Sequence, residues 1–505
     1  MVRQFLALIA VGGCCTLAIA QSTPYPTDPD TPPRPLVTSA STASSSLPLP
    51  ELPPFPTVMP PVAPPAVFVP PLAIPALPPP AAAAAPLTFE PYWNNGLYFR
   101  TPDRSFVMHL GGVLQYDATF YTGGWGVQNL PGGVGQFNDG VNARRLRLML
   151  DGTWYDTFDY KLEVEFMNGF SPAGLTGPAS TATVSNSPGP TDAFVTIKHV
   201  PWVGNVRVGN QKEWFSLEHM ESARQLMFLE RSHLFDFSQP SAFNNGRSPG
   251  ISTFRTWAND SLFTAIGVYK NESDLLGFGL GDGDYAVTGR VAALPVWLPQ
   301  AQTYWHVGGA MSHRDPDGGQ VRVRVRNGVR NAPFPLLNLI ADTGTIDADS
   351  QTLFNLESAF VSGPLTVSGE FTTNVISGAR VGGADLGSLA FNGFYAQASY
   401  FLTGEHREWD PQVGFFKRVT PLRQFDPRRG SWGGWEVGAR ASHLNLDDGG
   451  VNGGRLSNVT LGLTWYWTAN MRVQANYDYL YRDGGTNPLA RGPIHSLGMR
   501  LALDF

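Results

Sequence analysis

The stretch Ile494–Phe505 constrains the fold of this chain more than any other. Leu497, Met499, Leu501, Leu503 and Phe505 fall on one side of it, and Ser496, Gly498, Arg500, Ala502 and Asp504 on the other. Successive side chains of a strand point to opposite faces, so this is a strand with one greasy and one polar side. It ends on an aromatic residue with no tail after it. The expectation is a terminal strand that closes onto the first strand, because an open sheet edge in lipid leaves backbone groups unpaired.

The same alternation recurs upstream. Phe106, Met108, Leu110, Leu114, Tyr116 and Phe120 alternate with His109, Gln115, Asp117 and Thr119. Tyr160, Leu162, Val164 and Phe166 alternate with Lys161, Glu163 and Glu165. The polar face carries full charges on strand after strand, which a dry core does not tolerate unpaired and a wet lumen accommodates. Further segments run from Asp192–His199 through Gln320–Arg326 to Met471–Arg482, about sixteen to eighteen in all,. Tight turns such as Ala258–Ser261 and Thr468–Asn470 alternate with longer loops such as Gly169–Thr191. Trp465, Tyr466, Trp467, Tyr477, Tyr479 and Tyr481 gather near strand ends, as an interfacial belt does,. The predicted fold is all-β: a transmembrane antiparallel β-barrel of about sixteen strands.

Composition agrees. Charged residues make up 15% of the chain, with 55 Gly and 12% aromatics, whereas soluble domains usually carry about 25% charge. Beyond the N-terminus no apolar run reaches the length of about 18 residues that a membrane helix needs. A formal net charge of −6 points away from nucleic acid,.

Arg3 precedes an apolar run that ends at Ala18-Ile19-Ala20, the pattern of a cleaved signal peptide over residues 1–20,. Both cysteines, Cys14 and Cys15, fall inside it, so a chain cleaved there has no thiol chemistry,. Reading Val11-Gly12-Gly13-Cys14 as a loose lipoprotein box is the rival,. Residues 21–88 are rich in Pro and Ala with almost no charge, which predicts a disordered, polyproline-like segment, either an inert spacer or a tether to the cell wall,. Residues 89–505 form the barrel domain.

One long stretch, Gly209–Ser232, lacks strand periodicity. A loop of this length needs a reason, and folding into the lumen to narrow it is one. This stretch resembles the corresponding region of the phosphate-selective porin O and P family. Other blocks do too: Val141–Leu148, Asp159–Phe166, Asp342–Ile346, Leu356–Leu365, Tyr400–Glu405 and Trp435–Leu444. The resemblance spans roughly residues 95 to 505 in order. It implies a sixteen-stranded, usually trimeric outer-membrane channel that prefers small anions such as phosphate or polyphosphate. Phe505 is similar to the terminal signal that such proteins present to the outer-membrane assembly machinery.

Three groups of arginines are candidates for an anion constriction, since guanidinium stays charged and offers several donors to an oxyanion. Arg144 and Arg145 match the family's constriction pair. Neighbours on a strand point to opposite faces, so both turn inward only at a strand start or bulge. The competing role for Arg145 and Arg147 is to balance Glu163 and Glu165. Arg224 lies in the loop stretch where family members can carry a constriction lysine, while Lys212 is expected to form a salt bridge. Arg322, Arg324 and Arg326 alternate with Val321, Val323 and Val325. They form either a guanidinium row in the pore or an external strand paired with Asp315 and Asp317. Val113, and Glu213, Glu218 and Glu221 around Arg224, depart from a strict phosphate site. The sign of selectivity turns on whether this loop presents its Arg or its Glu side.

Catalytic patterns are scarce. Asp342-Thr343-Gly344 has no second copy to pair with as in an aspartic protease. Gly281–Asp284 lacks the follow-on ligands of a calcium loop. The nine His show no metal-ligand spacing,. No enzyme, cofactor or metal is expected. The rivals to a diffusion channel are a plugged structural barrel and a phospholipase-like barrel enzyme, the second lacking any visible Ser/His set.

Overall fold

The computed structural model describes residues 88–167, 188–238, 246–270, 284–330 and 338–505. Residues 1–20, expected to be a signal peptide, nearly all of the Pro-rich segment, most of the Gly169–Thr191 loop and Gly281–Gly283 lie outside the described residues.

Sixteen strands form one closed antiparallel wall: β1 (Phe106–Gly123), β2 (Gly140–Trp154), β3 (Phe158–Glu165), β4 (Gly189–Val200), β5 (Gly204–Gln211), β6 (Ser248–Trp257), β7 (Leu262–Lys270) and β8 (Tyr285–Leu298), then β9 (Thr303–Arg314), β10 (Ser350–Ser362), β11 (Leu365–Val381), β12 (Ala384–Phe401), β13 (Gly434–Asp448), β14 (Val451–Tyr466), β15 (Met471–Asp483) and β16 (Gly492–Asp504). Each pairs with the next, and β16 returns to β1 in a register running from Ile494↔Gly123 to Asp504↔Val113. Phe505 completes the seam: its N–H donates to Gly112 O at 3.1 Å, and the Gly112 N–H donates to Phe505 O at 3.0 Å. A side chain at position 112 would lie 2.8 Å from the Phe505 ring, so glycine there lets the ring lie against the wall. Closure leaves no edge unpaired, as lipid requires.

Burial is inverted relative to a soluble protein. On β1, Leu110, Leu114, Tyr116 and Phe120 are exposed, while His109, Gln115, Asp117 and Thr119 are buried. The apolar face meets lipid and the polar face the lumen, as the alternation predicts. Tyr477, Tyr479 and Tyr481 face outward with the belt. Tyr466 does not: it is 5% exposed, and its hydroxyl donates to Glu436 in the lumen at 2.8 Å. It sits one residue from Trp465, on the opposite face of the strand.

The barrel end that holds Phe505 has tight turns, at 155–157, 201–203, 258–261, 299–302, 363–364 and 467–470. One connection breaks the pattern, 402–433. The opposite end carries most of the long loops, although β13 and β14 join there through Gly449 and Gly450 alone, at φ 54° and 93°. This left-handed backbone suits glycine and matches the twist of a two-residue hairpin. Gln320–Arg326 is not part of the wall. It lies in the loop between β9 and β10, in short pieces that pair with Ile346–Asp347 and Leu339–Asp342. Its valines are buried in a loop core with Ile340 and Ile346, and that packing explains the alternation that resembled a wall strand.

Candidate functional site

The chain leaves β5 at the loop end and turns into the barrel. Trp214 wedges this segment against the wall: its Nε1 donates to Ser252 Oγ at 3.1 Å, and its ring centroid lies 4.8 Å from Phe254 and 5.3 Å from Phe263. Two short helical turns follow, Leu217–Met220 and His233–Ser238. The expected lumenal loop is therefore present, and it is longer than the stretch ending at Ser232.

Three of its carboxylates, those of Glu213, Glu218 and Glu230, are held by wall residues, and Glu221 faces the connection 402–433. Glu213 accepts from Ser248 at 2.8 Å, Thr288 at 3.0 Å and Arg314 at 2.6 Å. Glu218 accepts from the Ser232 hydroxyl at 2.6 Å and Arg440 at 3.3 Å. Glu221 lies 3.5 Å from Arg407. Glu230 binds Arg144 at 2.9 Å, Arg145 at 3.0 Å and Arg500 at 2.9 Å. The Arg144–Arg145 geometry has a local cause: the register of β1 and β2 slips between Gln115↔Arg145 and Tyr116↔Ala143, which leaves Arg144 as the extra residue of a bulge. Both guanidinium groups thereby reach Glu230 from adjacent positions. Arg147 takes the balancing role, at 2.8 Å from Glu163 and 2.6 Å from Glu165.

The segment's cations face a lumenal cavity of about 240 Å³ between it and β1–β5. Four cations on this lining are matched: Arg145 by Glu230, Arg147 by Glu163 and Glu165, and Lys161 and Arg247 by Asp192. Four others have no carboxylate partner among the described residues. Arg207 donates to Thr196 Oγ1 at 3.0 Å and lies 4.2 Å over Phe194. Lys212, expected in a salt bridge, instead donates to the carbonyls of His219, Met220 and Glu221 at 2.8, 3.0 and 2.9 Å. Arg231 donates to the carbonyls of Glu218 and Glu221, each at 2.6 Å. Arg224 donates through Nε to Ser222 Oγ at 3.3 Å. Burial, then the charges of Arg231 and Arg247, hold the Lys212 ammonium well below the usual lysine range. An entering anion supplies the counter-charge this group lacks.

A second segment enters from the tight-turn end. In 402–433, Arg407 is clamped by Glu436 through two contacts of 3.0 Å, and Tyr304 donates to the Arg407 carbonyl. Arg290 donates to Gly414 O at 2.9 Å, and Trp409 packs 4.5 Å from His306. Val413 and Phe415 thereby reach the cavity. Sequence reasoning missed this segment, although one long connection among short turns was the available signal.

Arg322, Arg324 and Arg326 do not form a row along the pore. Arg322 is bidentate to Asp342, at 2.9 and 2.6 Å, and largely exposed. Arg324 is half-buried beside it. Arg326 is buried against Asp236 at 2.5 Å. Arg322 and Arg326 therefore engage Asp342 and Asp236, because the loop folds back over the inward segment. Asp342-Thr343-Gly344 is a turn that anchors Arg322: the Asp342 carboxylate accepts from the Gly344 N–H at 2.9 Å. Among the described residues no cluster of His, Cys, Asp and Glu could hold a metal ion.

The profile of the family described as phosphate-selective porin O and P matches residues 121–505. The chain belongs to that family. This Porin O and P member is 23% identical over 418 residues to Porin O of Pseudomonas aeruginosa, covering 78% of this chain and 87% of that protein. It is 29% identical over 448 residues to an uncharacterized protein of Caulobacter vibrioides, covering 85% and 79%. Among solved structures, the anion-selective porin from Comamonas acidovorans superposes with a TM-score of 0.48 at 14% identity, covering 79% of this chain and 99% of that one. The Acinetobacter baumannii outer membrane channel DcaP gives 0.47 at 13%, covering 81% and 99%. Membership of the family and the closed barrel make this Porin O and P chain an outer-membrane channel protein.

Proposed function

We propose that the channel is a passive diffusion pore that favours anions, with phosphate or polyphosphate among its solutes, and that it works as a homotrimer in outer-membrane lipid. The observation that carries the reading is the orientation of the inward segment, which turns Lys212, Arg224 and Arg231 to the cavity and Glu213, Glu218 and Glu230 to the wall. Fixed positive charge where water is scarce is poorly screened. A charge pair at 4 Å is worth about 1 kcal/mol in bulk water and about 4 near a protein surface, and about 1.4 kcal/mol is tenfold. The three unmatched arginines, Arg207, Arg224 and Arg231, are therefore enough for an order-of-magnitude preference for chloride or phosphate over potassium. Arg144 and Arg145 contribute less, because Glu230 offsets them. Reversal potentials in a potassium chloride gradient test the reading, and a wild-type pore that prefers potassium overturns it. Mass measurement in mild detergent tests the trimer, with a monomer counting against it. Phe505 is the residue offered to the assembly machinery, and its deletion should lower the amount of folded barrel in the outer membrane.

One observation favours a plugged structural barrel instead. Arg407 Nη1 donates to Gln225 O at 2.9 Å, which joins the two inward segments across the lumen. Discrete single-channel steps in planar bilayers separate the readings, since a plugged barrel gives none.

A further inference from the structure

The cationic cavity has a second chemistry that an inorganic anion does not use. Phe194, Trp214, Val413 and Phe415 line it together with the cations. Phe194 stands on β4 between Asp192 and Thr196, on the lumenal face. Val413 and Phe415 arrive from the other barrel end on the second segment. Arg207 ties the two chemistries together: its guanidinium lies 4.2 Å from the Phe194 ring, 4.9 Å from Phe254 and 5.5 Å from Trp214. The volume of about 240 Å³ corresponds to roughly eight waters at ~30 Å³ each, more room than one tetrahedral oxyanion fills,.

A small hydrated anion gains from the cations but loses water against these rings and receives nothing in return. An anion with an apolar body buries that body on the same wall, and an aromatic body also gains ring contacts. A planar carboxylate matches the fork of a guanidinium and can accept two parallel bonds from it. We propose that this cavity is a binding site for aromatic monocarboxylates of the benzoate class and holds them more tightly than inorganic phosphate. The carboxylate is met by Arg224 and Arg231, and the ring by Phe194, Trp214 and Phe415. The inference rests on the anion-favouring reading above and adds the class of solute.

The test uses the full-length protein in planar bilayers, with benzoate or inorganic phosphate added to a chloride current at matched ionic strength. Benzoate should halve the current at a concentration about tenfold below that of phosphate, which is about 1.4 kcal/mol. Titration calorimetry on the detergent-solubilised protein should give dissociation constants in the same order. Phe194→Leu and Phe415→Leu should each cut the benzoate-to-phosphate preference at least about threefold. They lie on different elements, so failure of one variant to fold leaves the other as the test. An anion-preferring pore in which phosphate blocks as well as benzoate overturns this inference and leaves the reading beneath it intact. A cation-preferring pore overturns both, and Phe variants that leave the preference unchanged remove the aromatic wall from the argument.

Discussion

Two segments enter the barrel from opposite ends, and they are built differently. The segment beginning at Lys212 carries charge on both faces, cations to the cavity and Glu213, Glu218 and Glu230 to the wall. The segment 402–433 reaches the cavity with Val413 and Phe415, and its buried Arg407 is consumed by Glu436. On the proposed reading, one segment sets the sign of the field and the other the girth and texture of the passage. The division has a physical basis. Cations placed on backbone carbonyls keep their charge available, whereas a guanidinium bidentate to a carboxylate is an anchor with little net field.

Substitutions that strike each segment separately break or sharpen this contrast. The largest effect should follow Glu230→Ala, because Glu230 is 3% exposed and binds Arg144, Arg145 and Arg500. Removing one partner of a buried charge set costs about 3–5 kcal/mol. The temperature at which the barrel loses its folded gel mobility should fall accordingly, and an unchanged temperature would refute the anchoring role. Next comes Arg224→Glu, which reverses a charge that has no carboxylate partner among the described residues. The chloride-to-potassium permeability ratio should drop about tenfold, equivalent to about 1.4 kcal/mol. If the ratio holds while Arg407→Gln changes it, the sign is set by the other segment.

A smaller effect depends on pH. Burial pushes the Glu221 carboxyl up to about 7, against the opposing charges of Arg407 and Arg231. Below that value the folded protein keeps a proton that the unfolded chain has released, so stability falls as pH rises from the ordinary carboxylate range to about 7. Losing the proton also places a negative charge beside the cation face. Chloride preference should therefore decline about twofold between pH ~6 and ~8, and Glu221→Gln should flatten the profile. The smallest effect is expected for Arg322→Ala, which removes a largely exposed guanidinium already bidentate to Asp342. Its reversal potential should match the wild type, and a clear shift toward cations would move part of the filter to the loop between β9 and β10.

The wall was legible residue by residue, since alternation at period two carries both strand direction and face. Leu110 and Asp117 took their expected sides from pattern alone. The lumenal loop was legible as an interruption of that pattern. Tyr466 was misplaced because the belt was inferred from a cluster in sequence, whereas side-chain direction is fixed by position along β14. The valines at 321, 323 and 325 misled for a related reason: alternation reports a strand with one buried face, whether that face meets lipid or a loop core.

The sequence by itself determined the closed barrel, its girth, and a charged lumen crossed by a long segment, because these follow from local periodicity and length. Only the tertiary structure decided which groups have partners. Arg144 and Arg145 come together on Glu230, 85 or more positions away in the chain, through a one-residue bulge. Lys212 found carbonyls where a carboxylate was expected, and 402–433 proved to be an inward segment. Charge pairing depends on distances of a few ångströms between elements far apart in sequence, and no local pattern encodes those distances. The sign of the field in the lumen is set by that pairing.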